Sequence, residues 1–568
     1  MGVLARLRRT VKRQVRAVPR RGRKAARIVI TYAETAVAVR RHQDQQHESA
    51  LTLLHDAARR SPADMRVARL RSQVLARTGR MSLALTEASR LAIEAPSPRN
   101  RRLQRSLQGR WVETDAAWRP AVPAIGGDAG FEPVAGRVLY LAKESMPHRN
   151  NGYCTRTHET LLAVRAAGRD PVAVTLPGFP APAGGTPTGS ADDRPPMPRT
   201  SLVDEIEYHH VLPGAQHLLS DVTYDEYVQL TTTAFAREVR RVRPEVLHAG
   251  SGHRGYDIGV VGQVLAEWAD LPWIYEVRSF FETTWTADER YAENAEYYHR
   301  RFEAETRAMR AADAVVTLSG PMRDEIVDAH GVDPATVFVI PNAVDLERFV
   351  VVPRDRDRAR RLGLDGSFVL GYISNLDHFR EGQEVLLEAA AQLRAQGRAV
   401  TVLLVGEGRR KAELEERART LGLAGACVFA GSVPFDEVPA WYAQIDLFVV
   451  PRVSERAGRM VSPMKPFEAM AMEVPVVVSD LPALVEIAGP DEERAFVFVA
   501  GDPASLAARV ATLMDRPDER AQRVRTAGAW VRAERTWAGN GKAFDDVYRF
   551  ARDRHAERSA PLGGRPAC

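Results

Sequence analysis

The chain has 568 residues, of which 45% are hydrophobic and 27% are charged, a composition typical of a water-soluble globular protein. Three or four domains fit this length, so a single small binding module is excluded. The net charge of +6 is uneven: residues 1–41 contain thirteen Arg or Lys and one acidic residue, Glu34, and the rest of the chain is slightly acidic. The total charge is therefore no argument for nucleic-acid binding, and no nucleic-acid partner is expected.

The basic arm, residues 1–41, places apolar side chains at steps of three and four among its arginines. This spacing predicts an amphipathic helix, which Pro19 would interrupt. Such a helix is suited to an anionic membrane surface, and a solvated basic tail is the alternative. Nucleic-acid binding is the least favoured role, since no aromatic residue for stacking precedes Tyr32.

Cysteine spacing and hydropathy bear on the cellular compartment. The three cysteines, Cys154, Cys427 and Cys568, lie too far apart to indicate a disulfide framework or a zinc-ligand pair. The most apolar N-terminal stretch, residues 28–39, is too short to span a membrane and contains Glu34. We expect a cytoplasmic protein, peripheral on the inner face of the cell membrane if the arm binds lipid.

Residues 42–117 are predicted to be helical, and they repeat. A shift of 34 residues superimposes identical residues, among them Ala50 on Ala84, Leu51 on Leu85 and Pro62 on Pro96. This period resembles a pair of tetratricopeptide hairpins, which would offer a surface to a protein partner. The alternative is a set of unrelated amphipathic helices packed on the body of the protein.

A linker at 118–133 precedes a region in which short apolar runs alternate with helical patterns. The predicted strands begin with the run at 138–141 and continue at 172–176, 246–249, 273–277, 314–318 and 337–340. The alternation predicts a doubly wound parallel sheet over residues 134–345. Within it, residues 177–198 contain seven Pro and four Gly and predict a surface loop, either a mobile lid or a plain insertion.

A second series of strands is predicted at 368–373, 400–405, 426–430, 447–450, 474–478 and 496–499. It indicates a second Rossmann-like domain over residues 346–530, and two such domains in tandem imply a cleft between them. The predicted fold class is α/β, with two doubly wound domains facing a cleft after an α-helical N-terminal region. Residues 557–568 are predicted to form a disordered tail.

Polar loops follow several of the predicted strands. Parallel sheets bind ligands at the carboxyl ends of their strands, where loops and helix N-termini present N–H groups to anions. Gly152 follows the first strand, Asn375 and Arg380 follow the strand at 368–373, and Gly406 follows the next. These loops are therefore candidates for one ligand site.

The densest polar cluster, residues 451–472, contains four cations, Arg452 among them, and two carboxylates. Lys465 and Glu468 are three residues apart and share one face of a first helical turn. A fixed cation suits a diphosphate, and a carboxylate suits both hydroxyls of a ribose. An exposed salt bridge between Lys465 and Glu468 is the alternative.

Five motifs lie in these regions: residues 341–349 (PNAVDLERF), 406–408 (GEG), 431–434 (GSVP), 463–472 (PMKPFEAMAM) and 475–480 (PVVVSD). Together with the stretch at 442–451, the Gly152 loop and the strand ends at His248 and 275–278, they resemble a retaining glycosyltransferase of family 4 with the GT-B fold. The resemblance extends over residues 134–551. It implies that the second domain binds a nucleotide-sugar and the first binds the acceptor.

The resemblance also implies residue roles. Glu468 would hold the ribose, Lys465 or Arg380 the diphosphate, Gly152 a phosphate from across the cleft, and the Val433 backbone the base. Asn375, Gly406 and Arg452 would line the same site. No metal and no other cofactor is expected. Residues 531–556 would form a terminal helix that crosses back to the acceptor domain.

The implied reaction is front-face attack, in which the departing diphosphate accepts the acceptor's proton and no enzymatic nucleophile is needed. Arg278 stands where many members carry a His, and it is predicted to contact phosphate or acceptor. Glu276 and Glu282 would orient the reactants or assist as a base, with an ion pair to Arg278 as the alternative. His248 is either a buried strand-end histidine or an acceptor contact.

The function that the resemblance implies is transfer of a hexose to a glycan or lipid-linked acceptor with retention, in the synthesis of cell-surface polysaccharide or glycoconjugate. One alternative is a nucleotide-sugar epimerase or a phosphorylase of similar architecture. Another is a degenerate transferase that acts as a scaffold through its helical repeats. Met460 favours the scaffold, since it stands where the family has the first glutamate of a conserved pair.

Overall fold

The computed structural model describes residues 23–124, 130–180, 197–252, 254–286 and 288–559. Most of the basic arm, the centre of the predicted loop at 177–198 and the end of the tail lie outside the described residues. The chain divides into two compact units. The first comprises Met1–Ala121, His217–Thr233 and Phe281–Arg307, and the second comprises Val122–Gln216, Ala234–Phe280 and Ala308–Cys568.

Five consecutive helices form most of the first unit, and each packs on the next. They are α1 (Arg23–Gln43), α2 (His47–Arg60), α3 (Met65–Arg77), α4 (Met81–Glu94) and α5 (Pro98–Glu113). Helices α2 and α4 begin 34 residues apart and also end 34 residues apart, which is the period seen in the sequence. Helix α1 ends at Gln43, 34 residues before the end of α3 at Arg77. Helix α1 therefore occupies the second-helix position of a third, earlier repeat that the sequence comparison missed.

The first unit also contains two segments that the sequence places in the first sheet domain. Helix α11 (Glu296–Ala311) begins in one of them. The carboxylate of Glu296 accepts the N–H of Ser82 at 2.9 Å, and the guanidinium of Arg300 lies 3.7 Å from the ring centroid of Trp111. Chain segments 217–233 and 281–307 therefore group with the helices of the first unit, although they fall within the residues 134–345 predicted to form the acceptor domain.

The second unit contains an eight-stranded sheet in the order β3-β4-β2-β1-β5-β6-β7-β8. Its strands are β1 (Arg137–Ala142), β2 (Asp170–Thr175), β3 (Thr200–Val203), β4 (Ile206–His210), β5 (Val246–Gly250), β6 (Trp273–Glu276), β7 (Ala314–Thr317) and β8 (Val337–Val339). All neighbours are parallel except β3 and β4. The order reverses at β1, which pairs with both β2 and β5 and marks the expected ligand crevice.

Helices connect these strands. They are α6 (Gly152–Ala166), α7 (Gln216–Leu219), α8 (Tyr224–Val242), α9 (Tyr256–Ala269), α10 (Glu289–Ala292), α11 and α12 (Gly320–Asp328). The sequence signals two of the helix starts: the side chain of Asn151 accepts the N–H of Cys154, and that of Ser319 accepts the N–H of Met322.

The second unit also contains a six-stranded, fully parallel sheet in the order β11-β10-β9-β12-β13-β14. Its strands are β9 (Phe368–Ile373), β10 (Val400–Val405), β11 (Cys427–Gly431), β12 (Leu447–Val450), β13 (Val476–Ser479) and β14 (Phe496–Phe498). Its helices are α13 (Arg356–Arg361), α14 (Gln383–Ala395), α15 (Lys411–Thr420), α16 (Val438–Tyr442), α17 (Arg456–Met460), α18 (Lys465–Ala471), α19 (Pro482–Ala488), α20 (Pro503–Met514) and α21 (Pro517–Glu534). The order reverses at β9, so the crevice lies between the loops after β9 and β12.

The chain passes between the two sheets twice, side by side. The backbone N–H of Val344 donates to the carbonyl of Arg535 at 3.0 Å, which joins the outgoing and returning segments. The final helix, α22 (Trp537–Ser559), packs on α6. Its Phe544 and Tyr548 are buried in the core beneath the eight-stranded sheet.

No helix of the described residues combines the length and the hydropathy that a membrane crossing requires.

Candidate active site

Tight packing shapes the crevice of the six-stranded sheet. Gly406, after β10, has a φ of 141°, and a Cβ there would lie 1.8 Å from the carbonyl oxygen of Ser374. Gly382, before α14, has a φ of 68°, and its Cβ would lie 1.8 Å from the carbonyl oxygen of Pro451. Glycine is required at both positions by backbone conformation and by space. The loops after β9, β10 and β12 therefore meet at one edge.

A buried carboxylate, Glu381, organises the cations at this edge. It accepts a hydrogen bond from Tyr372, lies 3.4 Å from Arg452 Nη2, and lies 3.7 Å from Arg380 Nε. Burial raises the pKa of Glu381, but Arg452, Lys465 and the Tyr372 hydroxyl outweigh it and hold this pKa at about 2. Arg452 is buried, whereas Arg380 is more exposed, so Arg380 is the arginine better placed to meet a ligand.

The carboxylate of Glu468, on α18, is half-buried and held by Tyr442, whose hydroxyl donates to its Oε2 at 2.7 Å. Among the described residues none donates to its other oxygen, Oε1, so that oxygen is free to accept from a ligand. Burial raises the pKa of Glu468, and the Tyr442 hydrogen bond, Lys465 and Arg348 partly offset that effect. The sequence offered a salt bridge between Lys465 and Glu468 as an alternative. In the structure Glu468 is hydrogen-bonded to Tyr442 instead.

Arg348 is a residue that the sequence prediction missed, although it lies in a quoted motif. Its guanidinium lies 4.4 Å from the ring centroid of Phe435 and 3.9 Å from Asp345. Its charge lowers the pKa of Glu468 and also that of Glu159 on α6, so it influences carboxylates of both sheet domains. Burial is the main reason that the pKa of Glu159 rises to about 7.

The remaining predicted donor residues lie at the same strand ends. Asn375 is exposed directly after β9, and its side chain accepts the N–H of Asp377 at 3.3 Å. Val433 is half-buried in the loop after β11, and Lys465 is half-buried at the start of α18. Their contacts with a ligand stay predictions.

At Gly152 the eight-stranded sheet domain comes close to this site. It is the first residue of α6, and a Cβ on it would lie 3.2 Å from Met464 Cε, one residue before α18. The start of α6 therefore lies within contact distance of the residue that precedes α18. N–H groups at helix N-termini favour anions, as the predicted phosphate contact requires.

Glu276 lies fully buried at the end of β6. It accepts from Arg156 Nε at 2.7 Å, from Tyr140 at 2.6 Å and from Arg278 at 2.8 Å. Burial raises its pKa, but the two guanidinium groups and His248 outweigh that effect and hold the pKa well below the ordinary value of a glutamate. With no exposed atom, Glu276 organises the site from below, and the structure offers it no contact with a reactant.

Arg278, for which a contact with phosphate or acceptor is predicted, is engaged within the protein. Its five N–H groups all have acceptors within the protein, and these are Glu276, Tyr140, Thr157 and the carbonyl of Tyr153. The side chain is 5% exposed. A contact with phosphate or acceptor would have to break one of these bonds, so the geometry supports a positioning role. The ion pair to Glu276, the stated alternative, is present.

His248 lies in the core, with its Nδ1 3.0 Å from the hydroxyl of Tyr548. Burial, aided by Arg278 and Arg156, lowers its pKa to about 3, so it is neutral at physiological pH. This is the buried strand-end histidine considered from the sequence. Glu282 is buried in the segment Phe281–Trp285, which belongs to the first unit, and its predicted role stays a prediction.

Among the described residues, no group of three or more His, Cys, Asp or Glu side chains could hold a metal ion. The expectation of a reaction without metal stays a prediction.

Two protein-family models match this chain, one in each sheet domain. Residues 193–348 match the family described as Glycosyltransferase Family 4, and residues 367–516 match Glycosyl transferases group 1. The chain belongs to the family 4 glycosyltransferases. In this transferase the first match ends at the crossing between the sheets, and the second begins one residue before β9.

Two relatives are glycosyltransferases of bacteria. The 2-deoxystreptamine glucosyltransferase of Streptomyces kanamyceticus is 29% identical over 40% of this chain and 58% of its own length. The D-inositol 3-phosphate glycosyltransferase of Kineococcus radiotolerans is 27% identical over 65% of this chain and 87% of its own. The chain thus spans little more than half the length of the first relative.

Solved structures show the fold. The sucrose-phosphate synthase of Thermosynechococcus elongatus superimposes with a TM-score of 0.58 at 19% identity, over 73% of this chain and 98% of its own. HepE of Anabaena, in complex with UDP-glucose, superimposes with a TM-score of 0.53 at 18% identity, over 73% and 99%. The two sheets with their shared crevice are the GT-B fold.

Proposed function

We propose that the protein transfers a sugar from a nucleoside-diphosphate sugar, held by the six-stranded sheet domain, to an acceptor held by the eight-stranded one. The observation that carries the proposal is the free oxygen of Glu468. Tyr442 fixes the carboxylate, and Lys465 and Arg380 lie at the same strand ends. A carboxylate beside cations matches a ribose diol beside a diphosphate.

Retention is part of the proposal. The acceptor oxygen forms its bond to the anomeric carbon on the face that the diphosphate leaves, and the acceptor's proton passes to a diphosphate oxygen. Lys465, Arg380 and the N–H groups at the start of α6 would stabilise the negative charge that develops on the leaving group. In this scheme Glu276 and Arg278 act by positioning.

The relatives support a nucleotide-sugar donor and a hydroxyl-rich acceptor. HepE was solved with UDP-glucose, and two relatives are named for the sugar-like acceptors 2-deoxystreptamine and D-inositol 3-phosphate. We infer a hexose donor and an acceptor in glycan or glycoconjugate synthesis, either free or linked to lipid.

Acceptor-dependent release of nucleoside diphosphate tests the proposal. The full chain is incubated with UDP-, GDP- and ADP-hexoses, with and without inositol phosphates, aminocyclitols and glycan extracts, and the product's anomeric configuration is read by NMR. Release that requires an acceptor supports transfer. Epimerised sugar without release would indicate the epimerase, a requirement for inorganic phosphate would indicate the phosphorylase, and failure to bind any nucleotide-sugar would indicate the scaffold.

Peripheral attachment through the basic arm is a separate proposal. Residues 2–22 contain eight Arg or Lys and no acidic residue. Removing them should abolish sedimentation with vesicles of anionic lipid at low salt and leave turnover of a soluble acceptor unchanged. Sedimentation that survives the deletion would disprove this role.

A further inference from the structure

One loop of the six-stranded sheet domain makes several contacts with the other domain. We define the donor loop as residues 456–464, which contain α17 and lead into α18. It begins six residues after Val450, the end of β12, and stops directly before Lys465. Its conformation therefore decides where the cation of Lys465 and the carboxylate of Glu468 lie.

Arg456 projects from the donor loop into the eight-stranded domain. Its Nη1 donates to Glu325 Oε1 at 2.5 Å, and its guanidinium lies 4.7 Å from the ring centroid of Phe280. Its Nη2 lies 3.5 Å from His330 Nε2. The side chain is only 8% exposed, so the ion pair with Glu325 is largely shielded from solvent. Removing one partner of such a pair leaves a buried charge without compensation.

Two further residues of the eight-stranded domain and of the crossing segment bind the backbone of the same loop. The hydroxyl of Ser319 donates to the carbonyl of Met460 at 2.7 Å, and the side chain of Asn342 donates to the carbonyl of Ser462 at 2.7 Å. Both acceptors are main-chain atoms, so the contacts fix the path of the loop whatever its side chains are. With Met464 against Gly152, they hold the loop along its whole length.

The loop's own domain also holds it. Helix α17 packs on α19, Arg452 donates to the carbonyl of Val461 at 2.9 Å, and the carboxylate of Glu455 caps α17 by accepting the N–H of Gly458. The conformation of residues 456–464 therefore depends on contacts with both sheet domains.

We propose that Arg456 is a positioning residue that makes donor-sugar binding depend on contact between the two sheet domains. The inference rests on the proposed function. The transferred sugar must lie between the diphosphate, on one domain, and the acceptor, on the other. The donor loop is the part of the six-stranded domain that reaches the eight-stranded one, so it borders the place of the sugar. Arg456 acts through this loop and touches no reacting atom.

The test separates sugar recognition from diphosphate recognition. Calorimetric titration compares the full chain with Arg456→Met, using UDP-glucose and UDP as ligands, or whichever pair the wild-type chain binds. We expect Arg456→Met to weaken the nucleotide-sugar about tenfold and the nucleoside diphosphate less than threefold. An unchanged nucleotide-sugar affinity, or an equal loss for both ligands, would overturn the proposal.

Two further variants guard against unfolding and general charge effects. Glu325→Gln keeps the shape and the acceptor oxygen of the partner, and it should reduce nucleotide-sugar affinity severalfold with little further loss when combined with Arg456→Met. Arg323→Met removes an exposed arginine from the same helix as Glu325 and should leave both affinities unchanged. Additive losses in the double variant would contradict the proposal. Failure of the wild-type chain to bind any nucleotide-sugar would instead refute the proposed function.

Discussion

Asn342 links the interior of the eight-stranded domain to the loop before Lys465. Its Oδ1 accepts from Arg156 at 3.0 Å, while its Nδ2 donates to the carbonyl of Ser462 at 2.7 Å. Arg156 in turn donates to the buried carboxylate of Glu276. A continuous set of hydrogen bonds therefore runs from the end of β6 to the start of α18.

Asn342→Asp tests this link atom by atom. An aspartate still accepts from Arg156 but cannot donate to the carbonyl of Ser462. We expect a fall of about tenfold in kcat/KM, and a cost of about 1–3 kcal/mol of unfolding free energy for Asn342→Asp and Asn342→Ala alike, because each leaves the buried carbonyl of Ser462 without a donor. Turnover assays and denaturant titration measure the two effects. Equal activity for Asn342→Asp and the wild type would show that the bond to Ser462 is dispensable.

Glu276→Gln should destabilise the eight-stranded domain. The change leaves the buried guanidinium groups of Arg156 and Arg278 without their shared anion, at a cost of about 3–5 kcal/mol. Denaturant unfolding at pH 7 measures that cost.

The effect of Glu276 depends on pH in a defined direction. Because its pKa in the folded protein is well below that in the unfolded chain, its stabilisation is complete above the unfolded value and is lost as the pH falls below about 4.5. The gap between wild type and Glu276→Gln should shrink as the pH falls from 6 to 3. A gap that stays constant with pH would contradict the depressed pKa.

Gly406→Ala should destabilise the loops at the donor site. Its Cβ would lie 1.8 Å from a backbone oxygen, and its φ is positive, so we expect a loss of about 3 kcal/mol. Gly397→Ala is the matched control, since Gly397 has a φ of 80° with nothing within 4 Å and should lose about 1 kcal/mol. Similar losses for both variants would show that the close contact with Ser374 matters little.

Sequence patterns predicted the six-stranded sheet well because its strands are continuous apolar runs; β9, β10 and β12 have the predicted bounds. The hairpin of β3 and β4 was missed because it is polar. Its His209 and His210 are buried with hydrogen bonds to partners that include Glu238 and Thr175, which sequence periodicity does not reveal.

The site shows the same division. Glu468 and Gly152 lie on helices that follow strand ends, where topology places ligands, and the structure brings the start of α6 close to the residue before α18. The interior role of Arg278 depends on acceptors from two separate elements, Tyr140 on β1 and Tyr153 and Thr157 on α6, that only the folded chain brings together. Arg156 and Asn342 are hydrogen-bonded to each other. The sequence around them contains no pattern that predicts this bond, although Asn342 lies in the motif at 341–349.

Titration of Glu468→Gln with the nucleotide-sugar that supports turnover tests the central claim most directly. The amide can still accept from Tyr442 but loses the charge that binds a ribose diol, so affinity should fall about tenfold or more. Glu473→Gln, an exposed carboxylate just beyond the same helix, should bind like the wild type. Unchanged affinity for Glu468→Gln would contradict the assignment of this cleft as the donor site.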